Sequence, residues 1–448
     1  MKKYLLSIFV FVSISAVAQQ SAILNTYVQE GISSNHALKQ QSLEIEKTLE
    51  AIQIARSNYF PKLTFNPTYT VASGGRRIEF PIGDLLNPVY GTLNQLTGSQ
   101  AFPQVNNETI LFAPNNFQET KVSFQLPLFN ADIKNGMLIQ QKMAASAEVK
   151  KRVLAHEIAY QIEVAYLQYL QALEAIKIYE ESESFLTDYL QFNERLVKND
   201  AALNDVVYAS EYELSKLEGK RAEADKNVLV AAAYFNFLLN KSYDSPIIVD
   251  SMLLYQIPKL PNIADVHTST LASRPELDQL KAGTEILDAQ LHYQEKNALL
   301  PTAFIGGSTG FQGFGYSFKQ QAFVIAQVGL NWELFHGYEK KHKIQQTRID
   351  QLVLESKLSE TEQQLKMQAT QAYYELAASQ KTLDAAITSE QKSRQLLEIV
   401  QKKYKNNTAL YIEVFKAQND TETANLQVSL ARFDLLLKEA KLRYVSGL

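Results

Sequence analysis

The feature that most constrains the fold of this chain is a long unit that occurs twice, at about residues 22–240 and 265–447. Each copy has the pattern of a short helix, an alternating strand, a loop, a second strand and a very long helix. Paired landmarks follow in the same order: Leu38 and Leu277, Pro61 and Pro301, Leu126–Asn130 and Trp332–His336, Val164–Tyr166 and Gln371–Tyr373, Asp205–Ala209 and Glu413–Ala417. Their spacing falls from about 240 to about 207 residues, so the first copy carries about 33 extra residues. A repeat of this length indicates duplication of a whole architectural unit.

The first residues have the composition of a secretory signal peptide. Lys2 and Lys3 precede an apolar stretch that ends at Ile14, and Ala16–Ala18 supplies the small residues of a cleavage site. The alternative, an N-terminal membrane anchor, needs a longer apolar stretch. We therefore divide the chain into a signal peptide (1–18), a first repeat (19–240), an inter-repeat linker (241–264) and a second repeat (265–448).

The composition excludes several classes of protein. The chain has 44 basic and 48 acidic residues, a net charge of −4 and no long basic segment, which argues against nucleic acid as a partner. It has no Cys, so disulfides, thiolate metal sites and thiol catalysis are excluded. Beyond the N-terminus no run of about 18 apolar residues occurs, which excludes a helical membrane protein.

The placement of Pro and Gly predicts very long helices. Neither residue occurs between Gly136 and Gly219 or between Gly337 and Gly447. In the first copy we expect helices at about 22–58, 132–198 and 204–240, with tip turns at Asn199–Ala202 and, in the second copy, Asn406–Ala409. Within the long helices, small and apolar residues recur in alternating steps of four and three, the period of a coiled-coil seam. The seam residues are Ile158, Ile162, Ala165, Tyr169, Ala172, Ile176 and Tyr179, and then Leu365, Ala369, Ala372, Leu376, Ser379, Leu383 and Ala386.

Four segments alternate apolar and polar residues, at about 63–71, 121–128, 303–311 and 327–334. One apolar and one polar face suit either a membrane barrel with a polar lumen or a half-buried sheet of a soluble protein. Four strands are too few to close a barrel, so a barrel needs strands from two or three copies. Between the strands we expect a long surface loop at Ser73–Asn116 and a shorter Gly-rich loop at Gly310–Gly315.

These features resemble TolC-like outer membrane efflux proteins over nearly the whole mature chain. The residues that carry the resemblance are Pro61 and Pro301 at helix-to-strand junctions, Pro127–Asn130 closing a strand, and the tip segments Asn204–Val206 and Ile412–Gln418. The resemblance implies a fold that is mainly α with transmembrane β. Each chain would give four strands to a twelve-stranded barrel shared by a homotrimer, and its long antiparallel coiled-coil helices would form a periplasmic tunnel. The loop at 73–116 would lie at the external face.

The resemblance also implies a function and partners. The chain would be a passive exit duct of a tripartite efflux pump or type I secretion system, located in the outer membrane with its helices in the periplasm. Its partners would be a periplasmic adaptor protein, an inner-membrane RND or ABC pump, and outer membrane lipid. From the residues alone, a periplasmic adaptor or a soluble periplasmic coiled-coil scaffold stays an alternative.

In the family, acidic residues just after a helical tip turn narrow the periplasmic entrance. Glu413 falls at the first such position, Asp205 is its counterpart in the first copy, and Asp200 lies in the turn itself. Lys416 stands where some members have a second acid, so the chain departs from a doubled acidic ring. The alternative is that Glu413 and Asp205 only start their helices, where acids interact favourably with the helix dipole.

The sequence offers no catalytic site. Its six His are scattered, Gly306–Gly310 lacks the Gly-Lys-Ser/Thr ending of a phosphate-binding loop, and no paired carboxylates stand out. We therefore expect no enzyme activity, no cofactor and no metal.

Overall fold

The computed structural model describes residues 21–113, 115–253 and 257–447, so the predicted signal peptide lies outside the described residues. The described helices are α1 (Ala22–Ser34), α2 (His36–Ser57), α3 (Ile82–Thr97), α4 (Ala131–Lys198), α5 (Asp205–Leu238), α6 (Ile263–Ser273), α7 (Pro275–His292), α8 (Glu339–Lys405) and α9 (Tyr411–Ser446), with a π-helical turn at Tyr293–Asn297. The described strands are β1 (Lys62–Thr70), β2 (Arg77–Phe80), β3 (Glu108–Leu111), β4 (Phe117–Phe129), β5 (Thr302–Phe314) and β6 (Ala322–Asn331).

The chain falls into two compact units, and each takes segments from both halves of the sequence. The helical unit consists of the residues up to Thr48 together with Lys142–Ile286 and Asp350–Leu448. The strand unit consists of Leu49–Gln141 and Leu287–Ile349. The predicted division into two sequence repeats stays a prediction.

The four predicted strands are confirmed, and they form one antiparallel sheet in the order β1-β4-β5-β6. Because β4 pairs with β5, the two halves of the chain join in a single sheet whose edges are β1 and β6. The last strand lies further toward the N-terminus than the predicted segment 327–334, since it begins at Ala322. It ends at Asn331, and the Trp332 indole N–H beyond it donates a hydrogen bond to the Leu299 carbonyl at 3.0 Å.

The strand register gives the sheet one mainly apolar and one mainly polar face, with Thr120 and Thr309 as polar residues on the first and Phe304, Phe323 and Ile325 as apolar residues on the second. The apolar face carries Leu63, Phe65, Tyr69, Val122, Phe124, Leu126, Ile305, Phe311, Val324, Val328 and Leu330. The opposite face carries Thr64, Asn66, Thr68, Glu119, Lys121, Ser123, Gln125, Ser308, Gln312, Gln327 and Asn331. Within one chain neither face is covered, because Gln118 and Gly306 are the sole buried residues of these four strands.

The prediction of a Gly-rich loop at Gly310–Gly315 was wrong for most of that segment. Residues 310–314 belong to β5, and the connection to β6 is made by residues 315–321. Gly310 pairs with Lys121, and a Cβ at Gly310 would collide with the Thr120 carbonyl oxygen. Glycine is therefore required by the close approach of β4 and does not mark a turn.

The segment 73–116 was predicted as a loop, and this prediction was also wrong. It contains the hairpin strands β2 and β3, which pair with each other, and the helix α3 between them. Two of the Pro and Gly residues in this segment occupy helix-end positions: Pro81 precedes the first helical residue, and Gly98 ends the helix with φ of +61°. Gly83, Pro88 and Gly91 lie inside the helix.

The long helices are confirmed, since α4 begins and ends within one residue of the prediction. The predicted helix at about 22–58 is instead two helices, α1 and α2, separated at Asn35. The second half repeats this break at Arg274, between α6 and α7.

At each break, side chains donate hydrogen bonds to the last carbonyls of a returning helix that is distant in the sequence. Ser34 Oγ donates to the carbonyl of Leu239, just beyond α5, at 2.8 Å. In the second half, Ser273 Oγ donates to the carbonyl of Ser446 and Arg274 to that of Tyr444, both at 2.9 Å. A helix end leaves its last carbonyls without intrahelical partners, so each break supplies donors that a continuous helix could not.

The predicted seams lie in the interior of the helical unit. Ile158, Ile162 and Ala165 of α4 pack with residues of α1, α5 and α9 in one cluster. Ala369, Ala372 and Leu376 of α8 pack with α6 and α9 in a second cluster. The small Ala side chains let the helix axes approach closely, as in a coiled coil. None of the described helices is both long and apolar enough to span a membrane.

We predict that Arg274→Ala lowers the unfolding free energy by about 3 kcal/mol, because it breaks a buried ion pair and leaves its partners unpaired. The Arg274 side chain is buried, binds Glu276 at 2.6 Å and lies over the Tyr444 ring. Thermal unfolding of the purified protein in detergent, followed by circular dichroism, measures the effect. The control is Arg348→Ala, which removes an exposed pair with Glu295 at 2.7 Å and should cost less than about 1 kcal/mol. Equal shifts in the two variants would contradict the prediction.

Candidate functional site

The predicted entrance residues lie at two tip turns of the helical unit, where α4 turns into α5 and α8 turns into α9. The turns have the same backbone geometry. Asp200 and Asn407 have φ of +55° and +57°, and the N–H of the following residue donates back to the carbonyl of Leu196 or Lys403 at 2.8 Å. Asn and Asp tolerate this left-handed conformation better than other non-glycine residues. Asp200 therefore has a backbone role in the turn.

The other three predicted residues are exposed on the first turns of the returning helices. Asp205 begins α5, and Glu413 lies in the first turn of α9, where its carboxylate accepts the Leu410 N–H at 3.4 Å. Lys416 follows one turn later on α9. In the described part of the chain none of the three forms an ion pair within 4 Å, so their charges face outward.

A buried polar network beneath the tips was not predicted from the sequence. The Tyr404 hydroxyl of α8 donates to Asn193 Oδ1 of α4 at 2.8 Å. Asn193 Nδ2 donates to Ser210 Oγ of α5 at 3.0 Å, and Ser210 is hydrogen-bonded to the Tyr411 hydroxyl of α9. One chain of hydrogen bonds therefore links all four tip helices, and both ends of it are buried.

An apolar and aromatic cluster encloses this network. Its buried members are Leu186, Tyr189, Leu217, Tyr404, Tyr411, Val414 and Phe415. The Tyr404 and Tyr411 rings lie 5.6 Å apart between centroids, and Phe192 packs edge-on against Tyr404 at 6.0 Å. A hydrogen bond in such a water-poor setting is stronger than at the surface, and an unpaired group there is costly.

An ion pair with one buried partner links two of these helices further from the tips. Lys220 of α5 binds the buried carboxylate of Glu422 on α9 at 2.7 Å. Gln418 of α9 donates to Ser182 Oγ of α4 at 3.4 Å. Among the described residues no group of three or more His, Asp or Glu side chains is arranged to hold a metal ion. The arrangement at the tips supports packing and charge presentation, and it brings no acid and base together for catalysis.

A comparison with protein families shows which proteins the second half of the chain resembles. Residues 266–448 match the family model of outer membrane efflux proteins. This part of the chain is therefore similar to outer membrane efflux proteins. Among curated proteins, none is similar enough in sequence to serve as a relative.

Solved structures extend the likeness in fold to nearly the whole chain. CusC has a TM-score of 0.71 at 12% identity, with 96% of this chain and 95% of that chain covered. VceC from Vibrio cholerae has a TM-score of 0.67 at 12% identity, over 95% and 96% of the two chains. The open state of MtrE from Neisseria gonorrhoeae has a TM-score of 0.69 at 14% identity, over 95% and 89%. At these identities the likeness concerns the fold.

The prolines predicted at helix–strand junctions occupy two kinds of position. Pro61 and Pro301 lie directly before the first residues of β1 and β5. Pro127 lies inside β4, opposite Phe304, where the register between β4 and β5 shifts. A proline cannot donate to the strand ladder, so it suits a strand start or an irregularity.

The sequence does contain a signal for the buried network. After one additional step of three from Tyr179, the seam of α4 continues in alternating steps of four and three through Ser182, Leu186, Tyr189, Asn193 and Leu196. A lone Asn in an otherwise apolar seam fixes register and partner in coiled coils. Asn193 could therefore have been singled out, although its partners on three other helices could not.

We predict that Tyr404→Phe destabilises the protein by about 1–3 kcal/mol, because it leaves the buried Asn193 Oδ1 without its donor. The matched control is Tyr208→Phe, which removes a hydroxyl from a tyrosine that is 66% exposed. Thermal unfolding measures both variants. Equal effects would contradict a specific role for the network.

The same pair of variants also tests a pH dependence. Burial raises the pKa of Tyr404 and Tyr411 above the usual 10.0, and it raises the pKa of Tyr189 to about 12. These raised values favour the neutral hydroxyls, so the stabilisation is complete below pH 10 and is lost as the pH rises further. The melting temperature of wild type should therefore fall more steeply above pH 10 than that of Tyr404→Phe.

Proposed function

We propose that this chain is the outer membrane exit duct of a tripartite efflux pump or type I secretion system. Three copies pool their four strands into a twelve-stranded barrel, and their helices form a periplasmic tunnel. Transport through the duct is passive, and a periplasmic adaptor with an inner-membrane RND or ABC pump supplies the energy. The family match and the fold both support an exit duct.

The observation that carries the proposal is a sheet that cannot be complete in one chain. Its apolar face is uncovered, with Val324 81% and Val328 74% exposed. Its edges β1 and β6 each have one strand neighbour. In lipid every backbone polar group needs a partner, so open edges must be closed by further strands. A soluble coiled-coil scaffold has no use for such a face, which would be an aggregation site in water.

The polar face fits the interior of a water-filled duct. It carries Lys121 and Glu119, which pair at 2.9 Å, together with Thr, Ser, Asn and Gln side chains from all four strands. Apolar side chains toward lipid and polar ones toward the lumen are typical of transmembrane barrels. The apolar face of the sheet would therefore contact lipid, and the polar face would line the lumen.

We propose the tip charges Asp205, Glu413 and Lys416 as the contacts that narrow the entrance between copies. Three observations support this role: the residues are exposed, none of them forms an ion pair within the described chain, and Asp205 and Glu413 lie at matching places on the two returning helices. The buried network below them holds the four tip helices of one copy together. Opening would then move the tips of one copy relative to its neighbours, with Asp200 as part of the rigid turn.

Two substitutions on one strand test the membrane assembly. We predict that Val328→Lys reduces the amount of trimer that survives in unheated electrophoresis samples of detergent-extracted outer membranes. A Lys on the lipid side near the bilayer centre costs about 2–4 kcal/mol, whereas the lumen side accepts it. The control is Gln327→Lys, which changes the adjacent residue on the polar face.

Wild type and Gln327→Lys should both need detergent for extraction and migrate as trimers until heated. A wild-type monomer in the soluble fraction would contradict the duct. Equal losses of trimer in the two variants would contradict the assignment of the lipid face.

Single-channel conductance tests the entrance. We predict that the double variant Asp205→Ala, Glu413→Ala raises conductance about twofold or more, because the contacts that hold the tips of neighbouring copies together are weakened. The control is Glu211→Ala, Asp420→Ala, which removes two exposed acids of the same helices away from their first turns. Unchanged conductance of the first variant would remove these residues from the entrance.

A further inference from the structure

The segment 73–116, here called the insert, consists of the hairpin strands β2 and β3 with the helix α3 between them. One side of α3 carries an exposed, mainly apolar row of residues, here called the seam of α3. Ile82, Leu85, Val89, Thr92 and Leu96 follow one another in steps of three and four along α3. All five are exposed, with Leu85 at 69% and Leu96 at 78%. A narrow seam with this period is typical of a helix that packs against other helices.

The opposite face of α3 is fixed to the returning segment by asparagine side chains. Asn87 both donates to the Val105 carbonyl (2.9 Å) and accepts the Val105 N–H (2.8 Å). Asn94 does the same with Phe102, at 2.8 and 3.1 Å. At Gly83 any Cβ would collide with the Val105 carbonyl oxygen, so the contact is close along the whole helix.

These contacts hold the seam of α3 pointing away from its own module. In the heptad of the seam, Asn87 and Asn94 take the position opposite the exposed residues. Half-buried side chains between the two faces pack on the returning segment, as Tyr90 does on Phe102 at 5.8 Å between ring centroids. One face of α3 is therefore hydrogen-bonded to and packed on the returning segment, whereas the seam is exposed and has no packing partner among the described residues.

The charge of α3 argues against a lipid surface as that partner. Helices that lie on a membrane carry Lys or Arg along their polar flanks and bury a broad apolar face. Residues 82–97 include one charged side chain, Asp84, and no Lys or Arg. Asp84 lies off the seam and is bound to Asn107 at 3.0 Å. Copies of α3 can therefore meet along the seam without bringing like charges together.

The position of the insert points to a neighbouring copy. The insert follows β1, which is an edge strand of the sheet. In the threefold assembly under "Proposed function", on which this inference rests, that edge is the boundary with the next copy. α3 is thus continuous with the surface where copies meet.

We propose that the three α3 helices of the assembly pack seam to seam and form a three-helix cap. The occupant of each seam is the α3 helix of another copy of this chain. Ile82, Leu85, Val89 and Leu96 supply the contacts, and the small Thr92 lets the helices approach at mid-length.

Single cysteines test this cap, because the chain has no Cys of its own. Leu85→Cys places a thiol in the seam, where two copies come within the 4.4–6.8 Å between Cα atoms that a disulfide needs. The matched control is Gly91→Cys, on the same helix but off the seam, where an added Cβ meets no atom within 4 Å. Isolated outer membranes are treated with a mild oxidant, and half of each sample is left unheated.

Leu85→Cys is expected to give a cross-linked dimer in denaturing electrophoresis, and Gly91→Cys is expected to give none. Leu85→Cys should also react more slowly than Gly91→Cys with a membrane-impermeant maleimide on whole cells. Unheated trimers without a Leu85→Cys cross-link, or with equal cross-linking of both variants, would overturn the cap and leave the duct intact. A monomer in the unheated samples would overturn both.

Discussion

The four-stranded sheet has two edges, β1 and β6, that need strand partners which one chain does not supply. β1 and β6 each present backbone N–H and C=O groups on one side that no strand of the described chain satisfies. At the same time the face that carries Val328 and Phe65 is uncovered. In water this combination leads to aggregation, and in lipid it requires closure by further strands. A membrane would cover the apolar face, and further copies of the chain would supply strands to the open edges.

The helical unit meets a different requirement, which is to hold very long helices at fixed spacing. The seams of α4 and α8 do this along their length through small residues such as Ala165 and Ala372. At one end of the unit, side chains at the helix breaks near Asn35 and at Arg274 fix this spacing, because they donate hydrogen bonds to the last turns of α5 and α9. At the other end, the buried hydrogen bonds around Asn193 fix it. The helix breaks at Asn35 and Arg274 occupy matching positions in the two halves of the sequence.

The sequence was most informative where the physical cause is local. The bounds of α4 follow from helix propensity and the absence of Pro and Gly, and the sheet faces follow from the alternation of side chains. The break at Asn35 could not be predicted, because its reason is the end of α5 about two hundred residues away in the chain. The helix α3 was missed because Pro81 and Gly98, which frame it, also mark loops. At the tips, Asp200 was predicted by its charge, whereas its φ of +55° shows a backbone role. The roles of Asp205, Glu413 and Lys416 depend on contacts between copies, which no single sequence displays.

The proposal that other copies of the chain close the edges of the sheet can be tested by cryo-electron microscopy of the detergent-extracted protein in lipid nanodiscs. We expect three copies around a threefold axis, with β1 of each copy hydrogen-bonded to β6 of the next and Val328 facing lipid. A single copy with free edges, or a pairing of β1 with β6 of the same copy, would contradict it.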